Sequence, residues 1–208
     1  VFVTINEEQF AFQKVEIIVL EQGIHNLFSN FNKMTLQELV CQKKYEQLKE
    51  LTEKNYVHLL EQPAGRAIQQ IKNLGHPFYK QFLNNYGDLE YSRFAVKGSD
   101  EALQKNGVYI VIVDNELVFC GVCARTFKER FNQHIGSIYA KGCFRDGTAT
   151  HCHINANITQ KLQTSNVHFG ICPIDDKKEM NDLKNAIIKR FEPEWNLRSN
   201  QMVMSLIH

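Results

Sequence analysis

The feature that most constrains this chain is the run Val108-Tyr-Ile-Val-Ile-Val113. Branching at Cβ restricts χ1 and suits a pleated surface, and a run without polar alternation needs cover on both faces, so the segment predicts a buried strand. Asp114-Asn115 follows, two residues that tolerate positive φ, and then Glu116-Leu-Val-Phe-Cys120. That order predicts a two-residue hairpin turn, and two antiparallel strands open a domain here.

Residues 121–125 connect to a predicted helix with Phe127, Phe131, Ile135 and Ile138 on its apolar face, and with Arg130 and His134 four apart so that they project together. A polar stretch runs through Arg145-Asp-Gly147 and His151-Cys-His153. A strand is expected at 167–171, then a helix whose core face is Met180, Leu183, Ile187 and Phe191. Pro193 ends that helix, and Trp195, expected as a core anchor, precedes Asn196.

Upstream the period is helical. Leu36, Leu39, Val40, Leu48, Leu51, Leu59 and Leu60 predict one or two amphipathic helices over 35–60. Pro63 opens another with Ile68, Ile71 and Leu74 on one face, which Gly75-His76-Pro77 stops. A short aromatic helix is expected over 78–85, ended by Gly87. The first thirty residues are compatible with strand or helix. Residues 91–106 are polar, with Lys97-Gly-Ser-Asp100 as a turn, and mark a boundary. The expected organisation is a mainly helical N-terminal region, 1–95, used for packing, oligomerisation or shaping a groove, and a second domain over 105–208.

A net charge of +1 gives no reason to expect a polybasic binder, so a nucleic-acid surface has to come from local clustering. Arg125, Lys128, Arg130, Lys141 and Arg145 stand against Asp114, Glu116 and Glu129, a mild basic face that Lys184, Lys189, Arg190 and Arg198 would extend. No apolar run approaches the ~18 residues of a membrane span. The start, Val1-Phe-Val-Thr-Ile, lacks a signal peptide's features, and without an initiator Met it suggests a trimmed or processed chain. Cysteines at 41, 120, 123, 143, 152 and 172 are too irregular for a disulfide scaffold, which favours a reducing, cytoplasmic compartment. Zinc at Cys120 and Cys123, completed by Cys143 or by His151, Cys152 and His153, is disfavoured because the second pair lacks a zinc-ligand spacing.

Gly107-Val108-Tyr109, Phe119-Cys120-Gly121, Arg130 with His134, and the ending Ile187-Ile-Lys-Arg-Phe-Glu-Pro-Glu-Trp-Asn196 resemble the GIY-YIG nuclease family in order and spacing. The resemblance implies an α+β fold, a small antiparallel three-stranded sheet flanked by helices. It also implies hydrolysis of a nucleic-acid phosphodiester with one divalent ion, Mg or Mn. Tyr109 would lie beside the attacking water, and because an unperturbed tyrosine has a pKa of about 10 it would need a helper, the place His134 takes. Arg130 would hold the scissile phosphate, with Arg125, Lys128 and Lys184 as further phosphate or DNA contacts, and Asn196 would support the site.

Two departures stand out. Phe119 lacks the hydroxyl of the second motif's tyrosine. The family's metal-binding glutamate, twelve residues before the asparagine, falls on Lys184, and an ammonium cannot ligate a divalent cation. Glu179 and Asp182 are near in sequence but at offsets that face elsewhere, so the metal ligand is unassigned. The resemblance therefore implies an endonuclease acting on double-stranded DNA, of restriction or genome-conflict type, with the N-terminal helices giving specificity or a homodimer contact. The alternative is a catalytically inactive nuclease fold that binds nucleic acid or protein. A zinc-stabilised structural domain comes third.

Overall fold

In a computed structural model of the chain, residues 1–197 are described; Arg198, proposed above as part of a basic face, lies outside them. The strands and helices are β1 (Phe2–Ile5), β2 (Glu8–Ala11), β3 (Gln13–Ile24), α1 (Leu36–Val40), α2 (Lys49–Asn55), α3 (Ala64–Asn73), β4 (Tyr91–Lys97), α4 (Asp100–Leu103), β5 (Gly107–Val113), β6 (Glu116–Cys123), α5 (Phe127–Glu129), α6 (Ala149–Lys161), β7 (Val167–Pro173) and α7 (Lys177–Phe191). Short 3₁₀ turns join several of the N-terminal helices, and a π-helix, Arg130–Ile135, continues α5.

The fold is α+β. A five-stranded antiparallel sheet has the order β4-β3-β7-β5-β6, and β1 and β2 form a separate two-stranded sheet. The expected three strands are present as β5, β6 and β7, but two more join them. All seven residues of β5 are buried, as its apolar run requires. The hairpin turn holds Asp114 at φ 48° and Asn115 at φ 76°, the left-handed pair a two-residue turn needs. Register is regular from Gly107↔Cys123 to Val111↔Phe119 and then slips, giving Ile112↔Leu117, so that Val118 is an extra residue on β6.

Three expectations are corrected. The N-terminal region is not mainly helical from its start: β1, β2 and β3 occupy residues 2–24. Almost every position of β3 is exposed, so no alternation betrays it. The supposed polar boundary at 91–106 contains β4, whose Tyr91, Ser92 and Phe94 are buried, and α4. The stretch around His151-Cys-His153 is the start of α6, on which Cys152, Ile154, Asn155, Ala156, Ile158 and Thr159 are all buried. Buried positions on so many sides leave no 3.6-residue stripe to read. Three single positions also differ: Leu51 is 45%, Leu74 58% and Phe191 43% exposed, whereas Ile68, Ile71, Met180, Leu183 and Ile187 are buried as expected.

The chain divides into two compact units, neither continuous in sequence. One comprises Val1–Leu20, Phe94–Gly136 and the chain from Asn157 onward; the other comprises Glu21–Arg93 and Ser137–Ala156. A single break near residue 100 therefore does not describe the chain.

In the first unit, Val108, Ile110, Ile112 and Cys120 pack with Val3, Ile5 and Phe12 and with Met180, Leu183 and Ile187 of α7. Burying each large apolar side chain contributes roughly 1.5–3 kcal/mol. In the second, Phe28, Leu36, Leu39, Tyr45, Leu59, Ile68, Ile71 and Phe82 belong to one apolar cluster. Lys141 is set among the rings of Phe31, Tyr45 and Phe144 at 5.1–5.7 Å, with Asp146 at 2.8 Å and Tyr45 Oη donating to the same carboxylate at 2.5 Å.

Asparagines cap backbone on both outer strands of the large sheet. The Asn155 amide accepts from Ser92 N–H at 3.1 Å and donates to Ser92 O at 2.8 Å on β4. Asn196 does the same to Cys120 on β6, at 2.9 and 2.8 Å. Each amide satisfies one residue's N–H and C=O where no further strand among the described residues does, which blunts an edge that would otherwise template pairing.

Candidate active site around Tyr109

Tyr109 and Gly121 are direct partners across β5 and β6, with Val111 opposite Phe119 two residues along. Side chains alternate along a strand, so Tyr109, Val111, Phe119 and Gly121 share one face. Val108, Ile110 and Cys120 share the other, the face that α7 covers. Gly121 is required by the ring opposite: a Cβ there would lie 2.8 Å from Cζ of Tyr109 and 2.8 Å from Cε1 of Phe119.

The helix beside this face begins with Thr126, whose hydroxyl accepts from Glu129 N–H at 3.1 Å. Phe127, Phe131 and Ile135 are fully buried. Phe131 stacks on Phe169 of β7 at 4.1 Å and meets Tyr109 edge-on at 5.4 Å, while Phe119 lies 5.7 Å from Tyr109. The regular α-helix expected here opens into a π turn, closed by Gly136 N–H donating to Phe131 O at 2.6 Å, five residues back.

The Arg130 guanidinium lies within electrostatic reach of the Tyr109 hydroxyl. Burial pushes the Tyr109 hydroxyl well above the usual tyrosine range; the Arg130 guanidinium acts against that, and the Cys123 and Cys120 thiols act with it. With only 4% of its surface exposed, Tyr109 is a neutral phenol at neutral pH, an O–H donor rather than a ready base.

His134 is on the π turn, and its Nε2 faces Glu129 Oε1 at 3.3 Å. Glu129 also accepts from Arg125 Nη1 at 2.5 Å. The Arg125 bond and, after the opposing cost of desolvation, the His134 bond hold Glu129 below the usual glutamate range. Lys128 lies 4.0 Å from Asp100. Two of the three phosphate contacts proposed on this segment, Arg125 and Lys128, thus have an acidic neighbour, which mutes the expected basic face.

The remaining residues lie elsewhere. Asn196 acts as the edge cap on Cys120 described above. Lys184 is half-buried on α7, and its charge acts on the Cys120 thiol, on the face opposite Tyr109. Glu179 and Asp182 line a separate cleft with Ile5, Asn6, Glu8 and Phe10. Cys120 and Cys123 are three apart on one strand and so face opposite ways, which does not suit a shared zinc. Burial pushes the Cys120 thiol up to about 12 despite Lys184, and the Cys123 thiol donates to Thr126 O at 3.3 Å. Among the described residues no three His, Cys, Asp or Glu side chains converge as a metal site.

Sequence reasoning missed Glu129 as a partner of His134. Thr126-x-x-Glu129 was the available signal, because a glutamate at that position ordinarily turns back to cap the helix. No family model matches the chain, and neither a curated protein nor a solved structure does.

Proposed function

We propose that this chain is a GIY-YIG-type endonuclease domain acting on nucleic-acid phosphodiesters, with double-stranded DNA as substrate. The observation that carries the reading is the placement of Tyr109, from the first strand of the hairpin, within electrostatic reach of Arg130 on the following helix. The central strands β7-β5-β6 and the pairing of Tyr109 with Gly121 agree with the order of the motifs.

In this reading Arg130 offers a permanently charged planar donor to a phosphate, and the Tyr109 hydroxyl donates a hydrogen bond to the ester or to the attacking water. His134, on the same π turn as Arg130, takes the helper's place that the resemblance implies. The divalent ion that the resemblance implies does not fit the residues present: Lys184 supplies an ammonium where a carboxylate is needed, and the described residues offer no ligand cluster in its place. No step is assigned to a metal.

That misfit favours a second reading, a catalytically inactive domain that retains affinity for nucleic acid or protein. A plasmid-nicking assay in Mg²⁺ and in Mn²⁺, on the chain as it stands and on Lys184→Glu, separates the two. Cleavage by either protein that Tyr109→Phe abolishes supports the nuclease. If neither cuts DNA or RNA while binding persists and weakens steeply with salt, the binding module stands instead.

A further inference from the structure

The chain contains two Thr-x-x-Glu helix starts that are used differently. At α1 the motif closes as a full capping box: Thr35 Oγ1 accepts from Glu38 N–H, and the Glu38 carboxylate accepts from Thr35 N–H at 2.7 Å. At α5 the threonine does its half, accepting from Glu129 N–H, but the Glu129 carboxylate is engaged by Arg125 at 2.5 Å and by His134 at 3.3 Å. The glutamate that would cap the helix is turned onto a histidine.

The π turn makes this meeting a local one. Residues 129 and 134 are five apart, a spacing an α-helix rotates by more than a full turn plus a third. A wider turn over Arg130–Ile135 brings them closer to the same side. The same oxygen, Glu129 Oε1, accepts from Arg125 Nη1, and that bond helps the carboxylate keep its charge.

We propose that Glu129 is a positioning residue for His134. By accepting from Nε2–H it orients the ring and assigns the proton of the neutral imidazole to Nε2, so that Nδ1 is the nitrogen carrying the lone pair. This is the relation of a carboxylate to a base histidine, in which the carboxylate fixes tautomer and direction without itself exchanging the proton. The inference rests on the nuclease reading for its consequence in catalysis, and on the geometry alone for the hydrogen bond.

The test has a readout independent of cleavage. In ¹⁵N-labelled protein in mildly alkaline buffer, His134 is expected to show a downfield Nε2–H resonance protected from solvent exchange. Glu129→Gln keeps an acceptor oxygen and is expected to retain the resonance, whereas Glu129→Ala loses it. Neither change touches the Glu129 N–H that Thr126 caps, so both variants keep the helix start. Persistence of the resonance in Glu129→Ala, or its absence from the unaltered protein, overturns the proposal. Where the unaltered chain or Lys184→Glu cleaves plasmid, Glu129→Ala is expected to lower kcat at least about tenfold with KM unchanged, and Glu129→Gln to recover most of it. An unchanged kcat in Glu129→Ala overturns the catalytic part. If no form cleaves, the nuclease reading fails while the resonance still decides whether Glu129 positions the ring.

Discussion

Gly121→Ala probes the most crowded contact of the candidate site. The added methyl would sit 2.8 Å from Cζ and 2.9 Å from Cε1 of Tyr109 and 2.8 Å from Cε1 of Phe119. Carbon atoms in good contact are about 3.5–4.0 Å apart, so the rings must withdraw by roughly 0.6–1.2 Å. Tyr109 has little space for that, being held by Phe131 at 5.4 Å between centroids and only 4% exposed. Overpacking of this kind costs about 1–3 kcal/mol. For a chain of this size that is a fall in Tm of roughly 2–12 °C. Urea denaturation read by Trp195 fluorescence gives the free energy directly. Repeating Gly121→Ala in a Tyr109→Ala background should recover at least about 0.5 kcal/mol of the loss, because two of the three close contacts are gone. A cost below about 0.5 kcal/mol, or the same cost in both backgrounds, refutes the claim that this glycine exists to admit the Tyr109 ring.

Asn196→Ala removes both hydrogen bonds to the Cys120 backbone and is expected to destabilise by about 1–3 kcal/mol, with faster amide exchange at Cys120 by NMR. Burial acts to raise the Asp146 pKa, but the Lys141 ammonium and the Tyr45 hydroxyl outweigh it and hold the carboxyl below its ordinary value. Its contribution to stability is therefore complete above the unfolded carboxylate pKa and is lost as pH falls through the lower folded value. Denaturation followed down the acid limb should show a shallower pH slope in Asp146→Asn, and an unchanged slope would remove this pair from the account.

The parts of the fold that were legible share one property: a single face or a single period dominates them. β5 with its Asp114-Asn115 turn, and α7 with Met180, Leu183 and Ile187, are of this kind. Elsewhere the pattern was cancelled by burial or by exposure. Buried positions on many sides erased the stripe of α6, and near-complete exposure erased the alternation of β3. A π turn leaves no mark in sequence, since it is one extra residue in a helical loop and its apolar positions Phe127, Phe131 and Ile135 read as ordinary helix. At the site, motif order led to the expectation that Arg130 acts near Tyr109, and its charge does reach the Tyr109 hydroxyl. The Glu129 to His134 contact did not, because the same Thr-x-x-Glu pattern specifies a cap at Thr35. Asn196 was expected to support the site chemically, and what it supports is the outer edge of β6.

The value of Lys184→Glu as a test depends on whether position 184 has a structural need for a cation. Its helix is anchored by Met180, Leu183 and Ile187, which the substitution leaves in place. Its charge acts on the Cys120 thiol, which burial keeps protonated, its pKa pushed up to about 12, so that thiol is not an anion that would lose a counterion. Lys184 is only half-buried, and both Lys and Glu are good helix formers, so the change should alter stability by no more than about 0.5 kcal/mol. A gain of cleavage in Lys184→Glu would therefore report chemistry at the site and not a rescued fold. The face on which Lys184 sits, with Cys120 and away from the Tyr109 ring, makes the failure to gain cleavage equally informative. With binding retained and no cleavage from either protein, the binding-module reading stands and the nuclease reading fails.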